Sequence, residues 1–127
     1  MNKVSIKDID SEVFREMLHF IYTGATNINV LKEKPRELLA AANMYQLDLL
    51  KSICEDHLCS NLQINNAVEN LVFGDLYQAG KLRRMAMKMI ARNLVKVVGT
   101  EEYQDLVKNH PSLAADIPKA LVEDKIK

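Results

Sequence analysis

Apolar residues recur at helical spacing through most of the chain, and a strand-like alternation occurs only near its start. Lys3–Lys7 alternates polar and apolar residues, which predicts a short strand half-buried through Val4 and Ile6. Asp10 follows as a good helix N-cap, and apolar stripes with a helical period begin after it. The pattern predicts a mainly α fold with a short N-terminal β-strand followed by about seven α-helices.

Glycine, proline and polar residues divide these apolar stripes. Gly24 is predicted to end the first helix, residues 25–34 to form a loop, and Pro35 to open the next helix. Gly80 is predicted to end the fourth helix, and the fifth to run from about Leu82 to Val98. No residue pattern recurs at a fixed period, so the helical rhythm does not indicate a solenoid.

Three methionines of the fifth predicted helix are divided between its two faces. Met85 and Met89 are one turn apart, and we predict that both lie in the core. Met87 is predicted to face away, where its adaptable side chain would suit a partner groove.

Composition and charge describe a globular chain without an excess of either sign. The chain has 127 residues, 48% of them apolar, with 17 Lys and Arg against 17 Asp and Glu. Balanced charge disfavours nucleic-acid binding, and the basic residues between Lys81 and Arg92 are interpreted as a solvated helix face. The start has no apolar stretch typical of a signal peptide, so we expect an intracellular protein of nucleus or cytoplasm.

The residues that carry chemistry do not form a recognisable constellation. Cys54, His57 and Cys59 invite a zinc interpretation, but a structural zinc ion needs four converging ligands. Neighbouring acids such as Glu101 and Glu102 diverge on a helix, so they do not make a general acid/base pair. We therefore expect no enzymatic activity, no metal and no cofactor.

Three stretches resemble consecutive helices in the second half of BTB/POZ domains. Phe20–Gly24 has the sequence FIYTG, Leu38–Leu47 resembles LLAAAxxYxL, and Leu50–Leu58 resembles LKxxCExxL. Their order and spacing match the family as well. Further short matches, including Cys59–Leu62 and His110-Pro111, are similar to the speckle-type POZ proteins of the MATH-BTB family.

This resemblance implies a domain organisation and a partner. Residues 1–62 correspond to the C-terminal part of a BTB/POZ domain, and residues 63–127 to a 3-box/BACK-like helical region. Members of that family dimerise and bind cullin-3, so the chain is expected to act as a substrate adaptor in ubiquitin-dependent protein degradation. The alternative is a BTB-type self-assembly or decoy partner, forming homo- or heterodimers without ligase adaptor activity.

We expect a cullin-3 helix to dock where polar turns lie beside apolar helices, because such turns can border a groove for an amphipathic partner. The candidate contact residues are Tyr45, Gln46, Asp48, Asn65, Asn66 and Glu69. No small-molecule, nucleic-acid or membrane partner is expected.

Features of the resembling family without a counterpart here shape these expectations. We expect the MATH domain, the first half of the BTB domain and the hydrophobic-x-Glu motif that contacts cullin to be missing, since Met1–Lys3 is too short for that motif. Pro118 replaces an aromatic residue of the C-terminal helix. We therefore expect weakened cullin-3 binding, and a fragment is favoured over a natural short form because half a domain exposes core-facing surface.

Overall fold

A computed structural model of the chain describes residues 10–126, apart from the side chains of residue 121 and residues 123–126. The backbone divides into two compact units, the first ending at Leu58 and the second beginning at Cys59. The helices of the first unit are α1 Ser11–Thr23, α2 Ile28–Glu33, α3 Pro35–Met44 and α4 Asp48–Ser60, whose last residues pass into the second unit.

In the first unit, α1, α2 and α3 pack against one another. Asp10 caps α1 by accepting a hydrogen bond from the Glu12 backbone N–H at 2.8 Å, and Gly24 ends the helix in the left-handed conformation at φ 75°. Lys34, just before α3, forms ion pairs with Asp10 and Glu12 and so ties the starts of α1 and α3 together. The hydrogen bond from Lys34 lowers the pKa of the Asp10 carboxyl below its usual range.

The second unit is built around α5 and α6. A short 3-10 helix at Ile64–Asn66 precedes α5 Ala67–Leu76, α6 Gly80–Arg92, α7 Leu94–Val98, α8 Glu101–Asn109 and α9 Pro111–Ile126. The α5 helix packs closely along α6, and α9 covers another side of α6. Leu71, Ile90, Leu106 and Ile117 are among the buried side chains of the core that these helices share.

The predicted list of elements is wrong, although the mainly α class agrees with the structure. Residues 10–126 contain no strand and nine α-helices, whereas about seven helices were predicted. The strand predicted at Lys3–Lys7 lies outside the described residues. The predicted loop 25–34 contains α2, because Asn27 caps it through the Asn29 backbone N–H and Val30 is buried inside it.

The predicted fifth helix is divided in two. Asn93 ends α6, where its side-chain amide donates to the Met89 carbonyl at 2.8 Å, and α7 begins at the next residue. An Asn side chain that bonds to a nearby backbone carbonyl competes with helix continuation in this way. Gly80 does not end a helix; it is the first residue of α6.

The predicted orientation of the methionines is also wrong. Met87 is buried at 4% exposure, whereas Met85 is 44% exposed and Met89 is half-buried. The inward face of α6 follows Leu82, Ala86 and Ile90, and Met87 adjoins that stripe. This places Met85 on the outward face of α6.

Candidate protein interface

The turn between α3 and α4 holds three of the predicted contact residues. Gln46 lies in the left-handed region at φ 56°, after Tyr45 at the C-terminus of α3. The Leu47 N–H donates to the Ala42 carbonyl at 2.8 Å, and the Gln46 N–H to the Asn43 carbonyl at 3.3 Å. These two bonds form a Schellman motif, which satisfies the last carbonyls of α3 and fixes the direction in which the chain leaves it.

The side chains of this turn are available at the surface. Tyr45 is 38% exposed, and Gln46 and Asp48 are exposed as well. Asp48 lies in the first turn of α4, where a carboxylate is stabilised by the positive end of the helix dipole. An aromatic ring beside an acid and an amide, on a backbone fixed by hydrogen bonds, gives a rigid polar surface with one apolar anchor.

The other three predicted residues lie at the start of α5. The side chain of Asn66 already makes two hydrogen bonds within the turn. Its Oδ1 accepts from the Gln63 N–H at 2.8 Å, and its Nδ2 donates to the Asn61 carbonyl at 3.1 Å. Asn65 and Glu69 are exposed. Each group of three therefore clusters within its own unit, and in the second group Asn66 orders the turn while its neighbours face solvent.

Two buried polar side chains were not predicted from the sequence. Glu16, at 5% exposure, accepts a hydrogen bond from the Asn27 N–H at 2.6 Å and thereby holds the start of α2 against α1. Asn70, at 4% exposure, donates from Nδ2 to the Asn66 carbonyl at 3.0 Å, and its Oδ1 has no partner among the described residues. A polar residue inside an apolar stripe is the signal that identifies such positions, as Glu16 does between Val13 and Met17.

The two cysteines are free thiols. Cys54 is fully buried on the inward face of α4, and burial, with a smaller contribution from the charge of Glu16, raises its pKa to about 12. A thiol with that pKa stays protonated near neutral pH and is a poor nucleophile and metal ligand. Among the described side chains, no three His, Cys, Asp or Glu residues group together in a way that would hold a metal ion.

Close packing positions the second unit's surface helices. A Cβ at Gly74 would lie 3.0 Å from the Arg83 backbone nitrogen, so a larger residue would require the backbone to shift where α5 approaches α6. The Arg83 guanidinium then reaches Asp75 on α5 at 3.0 Å and Asp116 on α9 at 3.0 Å. One arginine thus links three helices.

Large apolar side chains are exposed on the outer face of α1. Leu18, Ile21 and Tyr22 are 39%, 57% and 84% exposed, and their spacing puts them on one side of the helix. Neighbouring exposed apolar side chains on one face are typical of surfaces that other proteins cover.

Among the described residues, no helix is both long enough and apolar enough to span a bilayer.

Comparison with known proteins links the first part of the chain to a protein-interaction family. Residues 1–62 match the family model of the BTB/POZ domain. The chain is also 42% identical over 112 residues to protein maternal effect lethal 26 of Caenorhabditis elegans. That alignment covers 88% of this chain and 28% of the relative, so the chain spans little more than a quarter of the relative's length. Residues 1–62 are therefore similar to the BTB/POZ domain, and the resemblance in their helix sequences is confirmed to that extent.

Proposed function

We propose that this chain is a non-enzymatic interaction module that acts as an adaptor for a cullin-3 ubiquitin ligase. The observation that carries the proposal is the BTB/POZ match over residues 1–62, directly followed by the packed α5–α6 helix pair. Cullin-3 is proposed as the partner because short stretches such as Cys59–Leu62 and His110-Pro111 resemble speckle-type POZ proteins. The contribution of the chain is binding surface rather than a chemical step.

We propose one contact surface in each unit, each consisting of a helix start and the turn that precedes it. Tyr45 and Asp48 border the α3–α4 turn, and Asn65 and Glu69 border the start of α5. Rigid turns favour binding because less conformational entropy is lost when a partner docks. The exposed Tyr45 ring is the strongest candidate for an energetic hot spot, since interface hot spots are enriched in tyrosine.

The test is a titration of the chain with the cullin-3 N-terminal domain, in which binding is measured by calorimetry or surface plasmon resonance. We expect Tyr45→Ala to weaken binding by roughly thirtyfold, as a hot-spot truncation does. Charge reversal at Glu69 should weaken it less, since rim charges act mainly on the association rate.

Two controls keep this experiment specific. Val95→Ala removes a 94% exposed side chain from α7 and should leave binding unchanged. Glu101→Lys matches the Glu69 reversal at an exposed site on α8 and should also be neutral. Absence of wild-type binding even at high micromolar cullin-3 would overturn the proposal.

A second candidate function is self-assembly with another BTB chain. The exposed apolar face of α1, formed by Leu18, Ile21 and Tyr22, favours it. Light scattering of the chain, alone and mixed with a BTB homologue, measures the assembly state. A dimer that Ile21→Glu converts to monomer would support this candidate, whereas a monomer both alone and in the mixture would exclude it.

A further inference from the structure

The outward side of α6 borders a groove of about 570 Å³. Its apolar lining includes Leu62, Met85 and Met89, all within the second unit. Every charged side chain of the lining is basic, namely Lys81, Arg84, Lys88 and Arg92. The groove therefore combines an apolar surface with charged side chains that are all positive.

Arg83, Arg84 and Lys88 differ in what they already bind. Arg83 is engaged by Asp75 and Asp116 at 3.0 Å each. Arg84 and Lys88 are exposed, and within the described part of the chain neither is held by a hydrogen bond or ion pair. Binding of a partner's carboxylate by these two cations would therefore break no ion pair or hydrogen bond with the described residues.

A second depression, of about 340 Å³, lies on the other side of Arg84 and Lys88. Met87 and Ala120 contribute apolar surface there, and Lys119 adds a further positive charge. Its acidic lining residue, Asp116, is already paired with Arg83. The two cations thus stand on a ridge between two partly apolar depressions.

We propose that this surface docks an acidic, amphipathic segment of a partner protein. Apolar side chains of the segment would enter the groove against Met85 and Met89, while its Asp or Glu side chains would pair with Arg84 and Lys88. Methionine suits such a groove because its flexible, polarisable side chain adapts to varied apolar partners. Charge complementarity would set orientation and speed association.

Nucleic acid fits the same surface less well. Single-stranded nucleic acid is usually bound by aromatic side chains that stack on bases, and none of the described residues that line the two depressions is aromatic. The chain also has no net charge to favour phosphate binding.

The surface lies on residues other than those proposed for cullin-3, so the two ideas can fail separately. The test uses the full chain and a fluorescent peptide of about 15 residues, with Leu and Phe one helical turn apart among Glu and Asp. We expect saturable binding, weakened at least tenfold by Arg84→Glu with Lys88→Glu and strongly reduced by salt. A peptide with Lys in place of Glu and Asp should not bind.

The matched control is Lys96→Glu with Lys108→Glu, which reverses two exposed charges outside both depressions and should change peptide affinity less than about twofold. Methionine methyl NMR of the unmodified chain gives a second readout that does not depend on variant folding. The Met85 and Met89 signals should shift on adding peptide, while that of Met17, buried in the first unit, should not.

Three results would overturn the proposal. They are no peptide binding, binding that the double charge reversal leaves unchanged, and tighter binding of a single-stranded oligonucleotide than of the peptide. Retention of cullin-3 binding by the Arg84→Glu and Lys88→Glu variant would show that the loss of peptide binding is separate from the proposed adaptor function.

Discussion

Two helical hairpins in this chain have the same type of turn but pack against different helices. The first hairpin is residues 35–58 (α3 and α4), and the second is residues 67–90 (α5 and α6). Tyr45-Gln46 recurs 32 residues later as Tyr77-Gln78, and both glutamines are left-handed, at φ 56° and 58°. In each turn the residue after Gln donates to a carbonyl five residues earlier at 2.8 Å.

Buried residues occupy equivalent positions, 32 residues apart, in the two hairpins. The paired buried positions are Leu38 with Asn70, Leu39 with Leu71, Ala42 with Gly74, Leu50 with Leu82, Cys54 with Ala86, and Leu58 with Ile90. The partners of these faces differ. In the second hairpin, α5 packs closely along α6, whereas in the first, α3 packs mainly on α1 and α2 and has no comparable packing along α4. The same local signals therefore set a turn and an inward face without deciding what that face contacts.

Truncating a matched pair of core leucines should have the largest effect. Leu50→Ala and Leu82→Ala should each lower the free energy of unfolding by about 2–5 kcal/mol, since both side chains are fully buried. We expect the greater loss at Leu82, because closely packed α5 and α6 cannot collapse into the cavity. Urea denaturation with hydrogen exchange in each unit measures this. Leu49→Ala, at a 64% exposed site, is the control and should change stability by under about 0.5 kcal/mol.

Exchanging the small residues at equivalent positions tests the closeness of the helices directly. Gly74→Ala should destabilise the chain by about 1–3 kcal/mol, because the new methyl meets the Arg83 backbone. Ala42→Gly should cost about 1 kcal/mol, chiefly through lower helix propensity. Thermal unfolding followed by circular dichroism compares the two. A stabilising Gly74→Ala would mean that α5 and α6 are further apart than described.

The pH dependence of stability should distinguish Cys54 from its counterpart Ala86. Burial raises the pKa of the Cys54 thiol from its ordinary value of 9.0 to about 12, so the unfolded chain ionises first. The stability that this contributes is fully present below pH 9.0 and is lost as pH rises towards about 12. Cys54→Ala should remove this part of the alkaline decline, and Cys59→Ala should retain it. Urea midpoints between about pH 8 and pH 10.5 provide the measurement.

We expect the smallest change in stability from a side-chain hydrogen bond that lies at equivalent positions in both hairpins but joins different residue types. Lys51 donates to Asn43 at 2.9 Å in the first hairpin, and Arg83 donates to Asp75 at 3.0 Å at the equivalent positions of the second. Asp75→Asn should cost at most about 1 kcal/mol, because the pair is largely solvated. It should also reduce the salt dependence of stability. An unchanged salt dependence would show that Asp116 alone carries the charge interaction of Arg83.

The candidate interface was predictable where local chemistry sets the structure. The surface position of Tyr45 and Asp48 follows from a turn between two apolar stripes. The role of Asn66 did not follow, because its two side-chain hydrogen bonds depend on how the chain folds back between Asn61 and Gln63. The groove on α6 was missed because helical spacing alone assigned Met85 to the core, and the neighbouring helices decided the inward face instead.

The sequence by itself determined the helical class, the cap at Asp10, the stop at Gly24 and the helix start at Pro35. These features depend on hydrogen bonds and backbone angles within a few residues, so nearby side chains specify them. Only the tertiary structure decided that Gly74 allows close helix contact, that Arg83 links α5 to α9, and that Met87 rather than Met85 is buried. Each of those outcomes depends on atoms distant in sequence, whose positions are fixed only when the helices pack.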